Sequence, residues 1–253
     1  MSSSNITIMS YNTWSEDIFC EERLTNLITL IYYNNCDILC FQELTPYIFN
    51  KLIHRISLKY PYIISTPELE NCKNYGTAIF SKYKIDEYFS NELFTNKQKY
   101  ILLAKIKMKD IIYNICTSNL EIDEETNQSK DFNQILGSLS QFNNCVFLGG
   151  IDNNLISIED DELNIINSEL WTDSWIKDGS LSNKEYTMNY KTNIFVKDIQ
   201  SRNDRIFFKT KDFEFINFNI VGSNHNPTPS NHYGLIINLK SKNVSNSSVI
   251  ATI

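Results

Sequence analysis

Along most of this chain, apolar and polar residues alternate over short stretches, and at three places the apolar residues recur at helical spacing instead. Residues 6–10 alternate as a strand that ends in Tyr11-Asn12-Thr13-Trp14. Leu24, Leu27, Ile28 and Ile31 then fall at i, i+3, i+4 and i+7, the stripe of an amphipathic helix. Glu21 and Glu22 stand at the end of it that favours acids. Residues 37–41 form a short apolar run, a buried strand running into Gln42-Glu43. Thr45 caps a second helix with Pro46 in its first turn, and Ile48, Phe49, Leu52, Ile53 and Ile56 supply its inner face.

The middle third predicts strands at 62–65, 77–81, 101–107 and 111–118. A third helix spans 129–142, with Phe132, Ile135, Leu136, Leu139 and Phe142 on one side. Further strands follow at 145–149, 205–208, 213–220 and 235–239, and the Ser- and Asn-rich tail from 241 to 253 reads as frayed. So many strands with only three helices exceed what one sheet would bury. The pattern predicts an α/β fold of two sheets packed face to face with the helices outside. No repeat and no change of composition marks a linker, so residues 1–253 read as a single domain.

Composition narrows the function. A core-sized apolar share of 42% with only 7 Gly and 5 Pro argues for a folded protein. No apolar run approaches the roughly 20 residues that span a bilayer, and Met-Ser-Ser-Ser-Asn at the start lacks a basic, apolar leader. The expectation is a soluble monomer with no membrane partner, intracellular, cytoplasmic or nuclear. Six cysteines without a Cys-x-x-Cys pair suit reduced core thiols better than zinc or disulfides. A formal net charge of −7 disfavours non-specific coating of nucleic acid, but not a local grip on one phosphodiester.

The candidate chemistry lies at strand ends: Asn12, Glu43, Asn119, Asp152, Asp204 and His232. Glu43 reads either as a ligand to a hard cation or as an acid before the helix at Pro46. Asp152 and Asn154 stand two apart after Gly149-Gly150, on one face of an extended backbone or in an Asx-rich turn. Asp204 lies between Arg202 and Arg205, and either bridges to them or accepts from an imidazole. His232 is the obvious imidazole, since His225 reads as loop and His54 as a helix surface or core-edge residue.

Seven ordered blocks carry a resemblance. They are Ser10-Tyr-Asn-Thr-Trp14, Asp37-Ile-Leu-Cys-Phe-Gln-Glu43, Tyr75-Gly-Thr-Ala-Ile-Phe-Ser81, Thr117-Ser-Asn-Leu-Glu121, Gly150-Ile-Asp-Asn-Asn154, Asn203-Asp-Arg-Ile-Phe-Phe208 and Ser230-Asn-His-Tyr-Gly234. Together they resemble the endonuclease/exonuclease/phosphatase family, and within it the tyrosyl-DNA phosphodiesterase branch. The resemblance implies a four-layer α/β sandwich, with two mixed sheets face to face, and Mg²⁺- or Mn²⁺-dependent phosphodiester hydrolysis. It implies metal binding at Glu43 and near Asn231, and catalytic roles for Asn12, Asn119, Asp152, Asn154, Asp204 and His232. The implied substrate is a DNA or RNA end, free or protein-linked.

Four positions depart from the family pattern. Asn119 stands where the phosphodiesterase branch has His, and Asn231 where Ser-Asp-His is usual. Ile151 intrudes between Gly150 and Asp152, and Met188 replaces the aromatic after Tyr-Thr. Exchanging a cation and an anion for two amides leaves the local charge roughly unchanged and lowers the expected rate. Two alternatives stay open: the same fold acting on a phosphoinositide, sphingomyelin or poly(A), and a degenerate member that binds nucleic acid or a partner without catalysis.

Overall fold

The computed structural model describes residues 5–70, 75–93, 100–108, 111–120, 128–151 and 171–242. In chain order the elements are β1 (Asn5–Asn12), α1 (Cys20–Asn34), β2 (Ile38–Leu44), α2 (Pro46–Ile56), β3 (Tyr62–Ser65), the single turn α3 (Pro67–Glu70) and β4 (Gly76–Ser81). Then come β5 (Ile85–Glu92), β6 (Tyr100–Met108), β7 (Ile111–Leu120), α4 (Gln128–Leu139), β8 (Cys145–Ile151), β9 (Thr172–Asp173) and the short α5 (Ser174–Lys177). The described chain closes with β10 (Met188–Asn189), β11 (Gln200–Ser201), β12 (Asp204–Lys209), β13 (Phe213–Val221) and β14 (Gly234–Ser241). Of the tail expected to fray from 241 to 253, Ser241 instead ends β14, and residues from 243 onward lie outside the described residues.

Two six-stranded mixed sheets result, ordered β13-β14-β1-β2-β4-β3 and β5-β6-β7-β8-β12-β9. Each has one parallel pair near its middle, β1 with β2 and β7 with β8, and antiparallel pairs on both sides. A parallel pair needs a crossover, and α1 and α4 are those crossovers. β1 and β14 run side by side through Asn5↔Lys240 to Ser10↔Leu235, so the first and last described strands are neighbours.

Strand alternation sorts the core into three clusters. Ile6, Ile8, Ile38 and Ile79 of the first sheet meet Leu102, Ile115, Leu148 and Ile206 of the second. Met9, Leu39 and Phe41 point the other way, onto Leu24, Leu27 and Ile31 of α1 and Ile48, Leu52 and Ile56 of α2. Cys116, Phe147 and Phe207 point outward from the second sheet onto Phe132, Ile135 and Leu136 of α4. The order helix, sheet, sheet, helix gives four layers, as expected. Each such side chain contributes about 1.5–3 kcal/mol on burial.

Local chemistry sets the helix limits. Thr45 accepts from the Ile48 amide at 3.3 Å at the start of α2, and α1 ends on the left-handed Asn35. The third helix stops at Leu139 rather than 142, and Phe142 packs from the turn beyond it. Among the described residues, no helix is long and apolar enough to cross a membrane. Cys36, Cys40, Cys116 and Cys145 are buried free thiols and Cys20 is a half-buried one.

Candidate active site

The inner-facing strand positions turn polar at one end of the sandwich. On β1 the apolar Ile6 and Ile8 give way to Ser10 and Asn12, and on β2 Ile38 and Cys40 give way to Gln42. On β7 Tyr113 and Ile115 are followed by Thr117 and Asn119, and on β8 Val146 and Leu148 by Gly150. Antiparallel β12, read backwards from Phe208 and Ile206, arrives at Asp204. The first polar layer is a seal: Gln42 donates to Thr117 Oγ1 at 2.8 Å and to Ser10 Oγ at 3.1 Å, linking the two sheets. Beyond it lies the candidate site.

Glu43 gets there by breaking the alternation. Strict period two would put it beside Leu39 and Phe41, under the helices. Between Phe41↔Ala78 and Leu44↔Gly76, β2 carries one residue more than β4, a bulge, and Glu43 has a left-handed φ of 52°. Leu44 takes the helix-side position, and the Glu43 carboxylate turns to the rim. There Oε1 accepts from Asn12 Nδ2 at 2.7 Å and from Asn119 Nδ2 at 3.0 Å, while among the described residues Oε2 receives only a long 3.4 Å contact from the Ser15 N–H. Asn12 Oδ1 in turn accepts from the Trp14 amide at 2.9 Å. A non-glycine residue held in a sparsely populated conformation at such a point is a common mark of function.

Two strands away, His232 Nδ1 and Asp204 Oδ2 are 2.7 Å apart, with both side chains only 3% exposed. With Asp204 ionised, Nδ1–H donates to it, which orients the ring and sets its tautomer. The backbone amide of His232 donates to Ser230 Oγ at 3.0 Å, and that of Asp204 to Thr187 Oγ1 at 3.2 Å. Gly150 joins the two groups, since Asn119 and Asp204 are its register partners on either side. Two strand spacings, about 10 Å, therefore separate them at the level of Gly150, which has no side chain. Asn12, Glu43, Asn119, Asp204 and His232 thus share one buried rim where the sheets meet.

The arginines beside Asp204 do not pair with it. Arg205 faces the opposite side of β12 and bonds Asp173 Oδ2 through Nε at 2.9 Å, while Arg202 Nη1 lies 3.8 Å from the same oxygen. Asn231 donates no hydrogen bond to Glu43 among the described residues; its Oδ1 accepts from Ser230 Oγ at 3.2 Å. Asp152 and Asn154 lie outside the described residues. His54 is exposed on α2, and His225 lies in the loop before β14.

Several supporting residues escape a reading of the sequence. Arg23, 2% exposed, donates to the carbonyls of Thr13, Trp14, Glu16, Ile18 and Pro229 at 2.6–3.2 Å and lies 4.6 Å from the Trp14 ring centre. It ties the loop after Asn12 to the loop before His232. Asn193 donates to the carbonyls of Ser230 and Asn231 and accepts from Thr228 Oγ1 at 2.8 Å, clamping the His232 loop from outside. Burial lowers the affinity of Arg23 for its proton. Tyr11, whose phenol burial pushes far up, stands beneath the rim between Gly222 and Gly234.

The residues present fit a hard divalent cation. Glu43 shows an under-used Oε2, and the buried Asn119 Oδ1 has no hydrogen-bond partner among the described residues. Both are oxygens, the donors that Mg²⁺ and Mn²⁺ prefer, and Mg²⁺ keeps several waters rather than needing a full protein cage. Among the described residues no three His, Cys, Asp or Glu side chains cluster as a dedicated metal cage.

The fold is found in solved structures. TDP2 of D. rerio, complexed with a single-strand DNA product, superposes with a TM-score of 0.77 at 20% identity, covering 93% of this chain and 99% of that one. TDP2 of Caenorhabditis elegans gives 0.74 at 17% identity over 93% and 75% of the two chains. The human Nocturnin catalytic domain with a bound sulfate anion gives 0.70 at 16% identity over 94% of each. At these identities the likeness establishes the architecture alone. No curated protein sequence matches the chain significantly. The model of the Endonuclease/Exonuclease/phosphatase family matches residues 9–232, from β1 to the imidazole at the rim, and the chain belongs to that family.

Proposed function

We propose that the protein is a Mg²⁺- or Mn²⁺-dependent phosphodiesterase acting on a DNA or RNA end, with a 5′-tyrosyl or other protein-linked end as its leading substrate. One observation carries the reading: two buried bridges, Asn12–Glu43–Asn119 and Asp204–His232, stand on either side of Gly150. The gap between them suits a phosphoryl group. Glu43, held by its two carboxamides, would carry the cation, which when bound offsets the charge of the phosphate. His232, oriented by Asp204, would in its imidazolium form offer Nε2–H to the negative charge that develops on a phosphoryl or leaving oxygen. Asp152 and Asn154 would position the attacking water, a role that rests on the family resemblance.

Support for a nucleic-acid substrate comes from D. rerio TDP2, which was crystallised with a single-strand DNA product. The net charge of −7 agrees with a short local grip rather than a long basic track. The test is a 5′-phosphotyrosyl oligonucleotide incubated with the protein and Mg²⁺. Release of tyrosine that is lost on chelation and in Glu43→Ala is the expected result. Turnover of a phosphoinositide, sphingomyelin or poly(A) in its place would reassign the substrate. No turnover of any of them, with nucleic-acid binding retained, would reject catalysis altogether.

A further inference from the structure

We infer that Asn119, through Oδ1, is a direct ligand of the divalent cation beside Glu43, an inference that deepens the proposed function and rests on it. The orientation of the carboxamide is fixed by its neighbour. A carboxylate oxygen only accepts, so the group 3.0 Å from Glu43 Oε1 is the NH₂, and Oδ1 is the branch left over. That oxygen is buried without a hydrogen-bond partner among the described residues. An unpaired buried acceptor is costly, which makes an ordered ligand there favourable. A phosphate oxygen cannot be that ligand, because both atoms are acceptors. A cation can. Glu43 adds a second oxygen: Oε1 already takes two N–H donors, whereas Oε2, on the residue that Asn119 itself holds, has one long contact among the described residues.

The phosphodiesterase branch of the family has His where Asn119 stands. An imidazole that donates to the carboxylate has no oxygen to offer. The exchange therefore removes a titratable ring and adds a hard oxygen donor, which shifts preference toward Mg²⁺ and away from the metals that favour nitrogen.

The experiment measures Mg²⁺ and Co²⁺ affinity by calorimetry on the whole chain, for wild type, Glu43→Gln, Asn119→His and Asn119→Asp, with melting temperatures recorded without metal to check folding. Asn119→His is expected to weaken Mg²⁺ about tenfold while Co²⁺ is held or tightened. Asn119→Asp keeps an oxygen and adds charge, so Mg²⁺ is expected to tighten. If Asn119 serves only to position Glu43, both variants weaken both ions by the same factor. That result overturns the inference, as do variants that bind both ions like wild type. Loss of Mg²⁺ in Glu43→Gln then shows that the proposed function itself survives. A wild-type chain that takes up no Mg²⁺ sinks both.

Discussion

His232 reaches the rim on a loop that Ser230 pins from within and Asn193 from outside, so its imidazole is placed before any ligand arrives. Preorganised donors of this kind are where catalytic rate is concentrated. On the proposed phosphotyrosyl substrate, His232→Ala is expected to lower kcat by roughly 10²–10³, and Asp204→Asn, which upsets the tautomer, by a comparable factor. Single-turnover rates at saturating substrate check this; a change confined to KM would mean that the pair only binds. Residue by residue, the sequence reveals types and not partners. His232 stands out because there are only three histidines, but Asp204 has arginines on both sides and its choice of partner follows from which face of β12 each one takes. Arg23 stays hidden because its hydrogen-bond partners are all backbone carbonyls, which leave no mark in a pattern of side chains.

At the scale of elements, the long strands and the three long helices are legible because one or both of their faces are buried. β5 is not: most of its positions are exposed, including Tyr88 and Phe89, so its residues do not alternate. β9, β10 and β11 have two residues each, too few for any period. The bulge at Glu43 is invisible for another reason, since it resides in a backbone angle and no residue type signals it. The support beneath β1 is also geometric. A Cβ on Gly234 would come within 2.3 Å of Tyr11 Cδ2. Gly234→Ala is therefore expected to destabilise the protein by about 2–4 kcal/mol, and Tyr11→Leu to relieve much of that clash. Urea titration of both single variants and the double variant should give a coupling of at least about 1 kcal/mol. Simple additivity would show that the ring moves aside without cost.

For the molecule as a whole, the thiols report how tightly the layers close. Burial pushes Cys36 up to about 12 and raises Cys40, Cys116 and Cys145 as well. An unfolded chain loses these protons near the ordinary thiol value of 9.0, so the folded state holds more protons between pH 9 and 12. Stability is therefore fully present below pH 9 and falls as pH rises through that window, which urea midpoints at pH 8, 9.5 and 10.5 would follow. With a thiol reagent at pH 8, Cys20 is expected to react fastest of the described thiols, and the four buried ones only on unfolding.

The antiparallel neighbours β1 and β14 place Asn5 opposite Lys240. A short peptide bridge could therefore splice that corner shut, and the polypeptide could be reopened at the exposed Ser180, far in sequence from every rim side chain. Such a circular permutant is expected to keep the circular dichroism spectrum and the proposed hydrolytic activity of the native order. The pairing of the first described strand with the last, and not the order of synthesis, would then define the architecture.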